Sequence, residues 1–173
     1  MSFTEFFQPK VNTPTVPSVL PDAAKRQILC GKLPILQMSN LFLKNQENCY
    51  YADQALYEKR TVKQRKIRKN AGVSTPGLLR GTRVHFGGGE TTSVDDVQYT
   101  ALKGVLYITN RRIIFTSSSE GFDKKVDDLI SVNPYANCVE FQFGKETLKV
   151  FVPDGNLVLS VLRLIRVAPT FQK

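Results

Sequence analysis

Apolar positions recur in three rhythms along the chain. Over residues 1–21 there is no rhythm: Pro9, Pro14, Pro17 and Pro21 remove amide donors and restrict the residues before them, so the stretch reads as an irregular or disordered, mobile arm. Residues 22–40 then read as a short helix and a connector. Asp22 is placed to cap the helix, which ends near Cys30, and Gly31 to close it in the left-handed conformation. Ile28, Leu29, Leu33, Ile35 and Leu36 would dock this piece on a main domain spanning residues 41–168, with 169–173 as a tail.

Within that domain the period is two. A first strand is expected over Cys49 to Tyr57, although Asp53 and Gln54 weaken its alternation, and a second over Leu78 to Phe86, with Gly81 as a bulge and Gly87-Gly88-Gly89 ending it. A third starts near Val97 and runs into Val105-Leu106-Tyr107-Ile108-Thr109. Arg112-Ile113-Ile114-Phe115-Thr116 pairs with it around Asn110-Arg111, where asparagine tolerates positive φ. Phe122 to Val126, Val139 to Phe143 and Glu146 to Val152, the last two joined at Gly144-Lys145, bring the count to seven. After Pro153 the period becomes 3.6. Leu157, Val158, Val161, Leu162, Leu164 and Ile165 share one face of a helix capped by Asp154, placed to close the open end of a curved sheet.

Composition fits one domain, since 173 residues with 42% hydrophobic content can bury a core without disulfides. The first twenty residues do not read as a secretory signal, and the longest apolar region, Leu157 to Ile165, is far short of the ~20 residues that span a bilayer. Cys30, Cys49 and Cys138 are odd in number and form no C-x-x-C pair, which suits small buried side chains in a reducing cytoplasm. The formal charge of +9 is concentrated: Lys59, Arg60, Lys63, Arg65, Lys66, Arg68 and Lys69 follow one another without an acid and leave +2 for the rest of the chain. Only Val62 and Ile67 in this segment suit burial. The Asn70 to Gly77 turn residues that follow make the region read as a long exposed loop between the first two strands.

Gly104-Val-Leu-Tyr-Ile-Thr-Asn-Arg-Arg-Ile-Ile-Phe115 resembles the G-x-L-Y-x-T-N-x-R-hydrophobic-hydrophobic-F hairpin of GRAM and bacterial pleckstrin-homology-like (PH-like) domains. The Phe122 strand, Asp128-Leu129-Ile130-Ser131-Val132, the Gly144 hairpin and the terminal helix follow in the order of that family, and the similarity covers roughly Leu41 to Ala168. The resemblance implies a mainly β fold with helices: a seven-stranded antiparallel barrel or two-sheet sandwich capped by the C-terminal helix. It further implies a module that binds lipids, peptides or proteins without catalysis. In lipid-binding members the loop between the first two strands holds phosphates with a lysine and then K/R-x-R, a place occupied here by Lys59 and Lys66-Ile67-Arg68.

The basic segment therefore has two readings. It is a solvated charged hairpin that aids solubility, or it attracts an anionic partner. Protein partners and anionic lipid headgroups at a membrane surface, visited peripherally, are the leading candidates. Nucleic acid is the alternative, weakened by the absence of an aromatic residue to stack bases within the segment. Catalytic and metal chemistry find little footing. His85 is the only histidine, so no metal cluster or cofactor site is expected, and Gly87-Gly88-Gly89-Glu90-Thr91-Thr92 matches neither phosphate-loop pattern and reads as a flexible turn. Asp95-Asp96 and Asp127-Asp128 read as solvated residues flanking strands, and no nucleophile has a recognisable base.

Overall fold

The computed structural model describes residues 14–76 and 83–167, with side chains described over the same residues except 65–92, 94 and 95. The fold is mainly β, with one helix before the sheet and one after it. α1 (Asp22–Leu29) is followed by β1 (Cys49–Pro76), β2 (Arg83–Thr109), β3 (Arg112–Ser117) and β4 (Gly121–Lys125). A 3-10 turn (Val126–Asp128), β5 (Ser131–Pro134), β6 (Cys138–Phe143), β7 (Glu146–Phe151) and α2 (Gly155–Val167) complete it. The seven strands form one antiparallel sheet in the order β4-β3-β2-β1-β7-β6-β5.

The chain divides into two compact units, Met1–Lys59 with Ala101–Lys173, and Arg60–Thr100. The second consists of the later part of β1 and the earlier part of β2. Both strands are far longer than the ordinary 3–10 residues, at 28 and 27. The expected break after Tyr57 does not occur, and Gly87-Gly88-Gly89 does not end a strand: the residues expected in separate strands up to Phe86 and from Val97 belong to β2, while 77–82, with Gly81, lie outside the described residues. The period-two side-chain pattern lapses there, but a strand needs only a partner for its amides and carbonyls, and β2 is the neighbour of β1 in the sheet.

The strand count of seven thus holds over a different set, because β5 has no counterpart among the expected strands. It is a four-residue edge strand ending in Pro134, paired from Ser131↔Gln142 to Pro134↔Val139, and an edge is where a missing amide is tolerated. The other hairpins fall where the alternation puts them, with Ile108↔Ile113 beside the first turn and Phe143↔Glu146 beside Gly144, whose φ is +58°.

β1 is the middle strand of the sheet, so its first residues are covered on both faces. Tyr51 and Ala55 join one core with Leu106, Ile108, Phe115, Phe141 and Val150, while Cys49 and Ala52 join a second with Tyr107 and Ile114. α2 closes the first core with Leu157, Val158, Val161 and Leu162, packing on α1, β5 and β6. Asp154 caps α2 as expected, its Oδ1 accepting from the amides of Asn156 (2.9 Å) and Leu157 (3.2 Å).

At α1 the expectation is partly corrected. Pro21 occupies the N-cap without a side-chain bond, and Asp22 is the first helical residue, its carboxylate 3.4 Å from Lys25. Gly31 closes the helix at φ +77°, as its position suggested. Ile28 is buried and Leu33 and Leu36 pack on the cores, but Leu29 and Ile35 face solvent. Among the described residues no helix is long and apolar enough to cross a membrane.

Candidate functional site

The basic segment lies within β1 and not in a loop. Lys59 closes the first unit and pairs with Glu120 at 2.5 Å, while Arg60, Lys63, Arg65, Lys66, Arg68 and Lys69 all stand in the β1 portion of the Arg60–Thr100 unit. Arg60 and Lys63 are exposed, and so is Val62 at 48%, which corrects the expectation that it could be buried. The side chains of Arg65, Lys66, Ile67, Arg68 and Lys69 lie outside the described set. The Lys66-Ile67-Arg68 triplet is thus carried by a strand, and the connection between β1 and β2 lies outside the described residues. Within Arg60–Thr100 stand eight lysines and arginines against three acids, a net +5 of the chain's +9.

The residues of the hairpin motif build a second site. Thr109, Asn110 and Arg112 do not serve the turn alone; they fasten the loop that precedes β1. Arg112 grips Glu47 with two parallel bonds, Nε to Oε1 and Nη2 to Oε2, both 2.9 Å. Its Nη1 donates to Asp123 Oδ2 (2.6 Å) and its Nη2 also to the Phe42 carbonyl (3.2 Å). Thr109 Oγ1 donates to Glu47 Oε1 (2.7 Å) and accepts from the amides of Arg111 and Arg112, and the Lys44 amide donates to Glu47 Oε2 (2.8 Å).

The Glu47 side chain is wholly shielded from solvent. Burial alone would push its carboxyl up, but the Arg112 guanidinium, the Lys44 amide and the Thr109 hydroxyl outweigh burial and hold it down at about 2. Arg112 is correspondingly held charged by Glu47 and Asp123.

Asn110 corrects the turn chemistry. It does not adopt positive φ; the described non-glycine residue that does is Gln46, at 59°. The Asn110 side chain instead accepts from the Asn48 amide (2.9 Å) and donates to the Gln46 carbonyl (3.1 Å), while its own amide donates to Asn48 O (3.1 Å). Gly104, which opens the motif, lies so close to β3 that a Cβ there would collide with the Thr116 carbonyl oxygen.

A third arrangement involves the last residues of the arm. Residues 14–20 are irregular in backbone but fastened: Val16 and Leu20 are buried, and Asp53, only 1% exposed, accepts from Ser18 Oγ and the Val19 amide at 2.6 Å each. Residues 1–13 lie outside the described set. Asp53 breaks the β1 alternation because it is the anchor of this strap. Beside the strap, Thr15, Val16, Pro17, Gln54, Ala55, Leu56 and Lys103 line a pocket of about 180 Å³.

Candidate chemistry is sparse among the described residues. Cys49 and Cys138 are buried, with burial pushing the Cys49 thiol up to about 11, so it is a poor nucleophile. Cys30 is exposed, against expectation, because it falls just past the end of α1. Asp127 and Asp128 lie exposed in the 3-10 turn between β4 and β5, flanking strands as expected, whereas Asp95-Asp96 lie within β2 and do not flank a strand. The expectation for the His85 side chain falls outside the described set. No group of three His, Cys, Asp or Glu that could hold a metal occurs among the described residues. The hydroxyl of Tyr51 is buried without a hydrogen-bond partner.

Sequence reasoning missed Glu47 and Asp53. Asp53 is a lone acid among the apolar residues of early β1, whereas Glu47 sits in the polar run Lys44 to Asn48, where nothing local sets it apart. The chain matches no protein-family model, no curated protein and no solved structure.

Proposed function

We propose that this chain is a non-catalytic interaction module of PH-like, GRAM-like architecture that binds a protein partner or an anionic membrane surface through Lys59–Lys69. The observation that carries the reading is the concentration of charge in the Arg60–Thr100 unit: eight basic residues against three acids, six of the basic ones from this segment of β1, with Arg60 and Lys63 exposed. The antiparallel seven-stranded sheet, its terminal helix and the Gly104 to Phe115 hairpin support the architecture. Arg60 and Lys63 stand on a strand, which rises ~3.3 Å per residue and turns successive side chains to opposite faces. Each lysine or arginine near an anionic bilayer contributes on the order of 1 kcal/mol, which makes the contact reversible and salt-sensitive.

One observation favours a second reading. The basic residues sit on a long strand with an antiparallel neighbour, and a two-stranded ribbon is a form the DNA major groove admits. Changing Lys63, Arg65, Lys66 and Arg68 to Gln separates these readings. Co-sedimentation with phosphatidylserine-containing vesicles should fall sharply in the variant, and wild-type binding should weaken between about 0.05 and 0.2 M salt. Retention of duplex DNA and not of vesicles, with a steep salt slope, would instead select the nucleic-acid reading. Equal behaviour of variant and wild type toward vesicles, DNA and every protein recovered from lysate would leave the segment a solvated strand.

A further inference from the structure

The loop fastened by Glu47 and Arg112 carries an apolar tip. Phe42 is 94% exposed, with Leu43 exposed beside it. From Cys30 to Gln46 the chain holds no acid but includes Lys32 and Lys44, and the next acid, Glu47, is shielded and neutralised by Arg112. The Asn110–Arg111 turn, bonded to the same loop, adds the exposed Arg111. The acid tied most directly to the loop, Asp123, is held by Arg112 at 2.6 Å.

We propose that Phe42, with Leu43, is an insertion tip that enters the interfacial zone of an anionic phospholipid bilayer; this rests on the membrane branch of the function proposed above. Three features fit that occupant together. An aromatic ring followed closely by a lysine suits the interface, where the ring lies among headgroups and acyl chains and the ammonium reaches back to phosphate. The acid-free flanks avoid repulsion from the lipid surface. Part of the loop's backbone is paired before it meets lipid: the carbonyls of Phe42, Lys44 and Gln46 accept from Arg112, the Glu47 amide and Asn110, and the Lys44 amide donates to Glu47. Unpaired amides and carbonyls are what make irregular backbone costly near hydrocarbon, so each of these bonds lowers the cost of a shallow entry at the level of the headgroups.

The chain has no tryptophan, so Phe42→Trp installs a single reporter in the full-length protein. With vesicles of phosphatidylcholine and phosphatidylserine, its emission should shift to the blue and be quenched by lipids brominated near the headgroup end of their acyl chains. Ile130→Trp is the control, because Ile130 is also exposed but follows Asp127 and Asp128 closely. Its emission should not move. Phe42→Ser should weaken vesicle affinity by about tenfold or more while leaving the melting temperature unchanged.

If the Phe42→Trp variant sediments with the vesicles while its emission stays unshifted, or if both reporters shift alike, the tip is refuted and the charge-driven membrane reading survives. If neither wild type nor the Phe42→Trp variant sediments with anionic vesicles, both fall. Vesicle binding that is lost in Phe42→Ser but kept by the Lys63, Arg65, Lys66 and Arg68 to Gln variant would support the tip and refute the part proposed for the basic segment.

Discussion

Glu47 keeps its charge in a place closed to water because four donors converge on its two oxygens. Its folded pKa of about 2 lies below the ordinary 4.5, so its contribution to stability is full above about pH 4.5 and is lost as pH falls toward 2. The depression corresponds to roughly 3 kcal/mol. Urea unfolding at a series of pH values should show this loss in the wild type and a flatter profile over the same window in Glu47→Gln; parallel profiles would contradict the assignment. Arg112→Ala should cost about 3–5 kcal/mol, since it leaves a buried carboxylate unpaired. Asn110 acts by bonding and not by φ, so Asn110→Gly forfeits two side-chain bonds without relieving strain. A loss of about 1–3 kcal/mol is expected in denaturant titration, and a change near zero would return the residue to a simple turn role.

At the scale of elements, α2 is readable because one-sided burial dictates a period, and the early part of β1 because an aromatic and apolar run suits a strand covered on both faces. Leu162 lies 3% exposed in the core that α2 closes, and Leu162→Ala should lower stability by about 2–5 kcal/mol in chemical denaturation; a loss under about 0.5 kcal/mol would contradict its placement. The rest of β1 and β2 is not readable in this way. Charged and glycine-rich sequence carries no burial period, and what keeps it extended is a neighbouring strand that no local window contains. β5 escapes for a related reason, being four residues long and identifiable only by its pairing with β6. The strap over residues 14–20 looks free because prolines break regular structure, yet Asp53 supplies acceptors to Ser18 and Val19, and Val16 and Leu20 find cover.

For the molecule as a whole, the concentration of charge in one segment has a measurable consequence. The Lys63, Arg65, Lys66 and Arg68 to Gln variant should keep its melting temperature, since surface substitutions usually change stability by no more than about 0.5 kcal/mol, whereas a large drop would show that these side chains hold the structure. Local sequence is enough for the mainly β character, the two helices, the caps at Gly31 and Asp154, the tight hairpins at Asn110-Arg111 and Gly144-Lys145 and the place where charge accumulates. Each of these follows from a local period, a special φ or a count of charges. Long-range folding was needed to make the basic run a strand and to set motif residues Thr109, Asn110 and Arg112 against a loop more than sixty residues earlier in the chain. It also turns two isolated acids, Glu47 and Asp53, into buried anchors. A buried charge is stable only beside its donors, and the side-chain donors here, Arg112 and Thr109 for Glu47 and Ser18 for Asp53, come from distant parts of the chain, so no local pattern could have announced them.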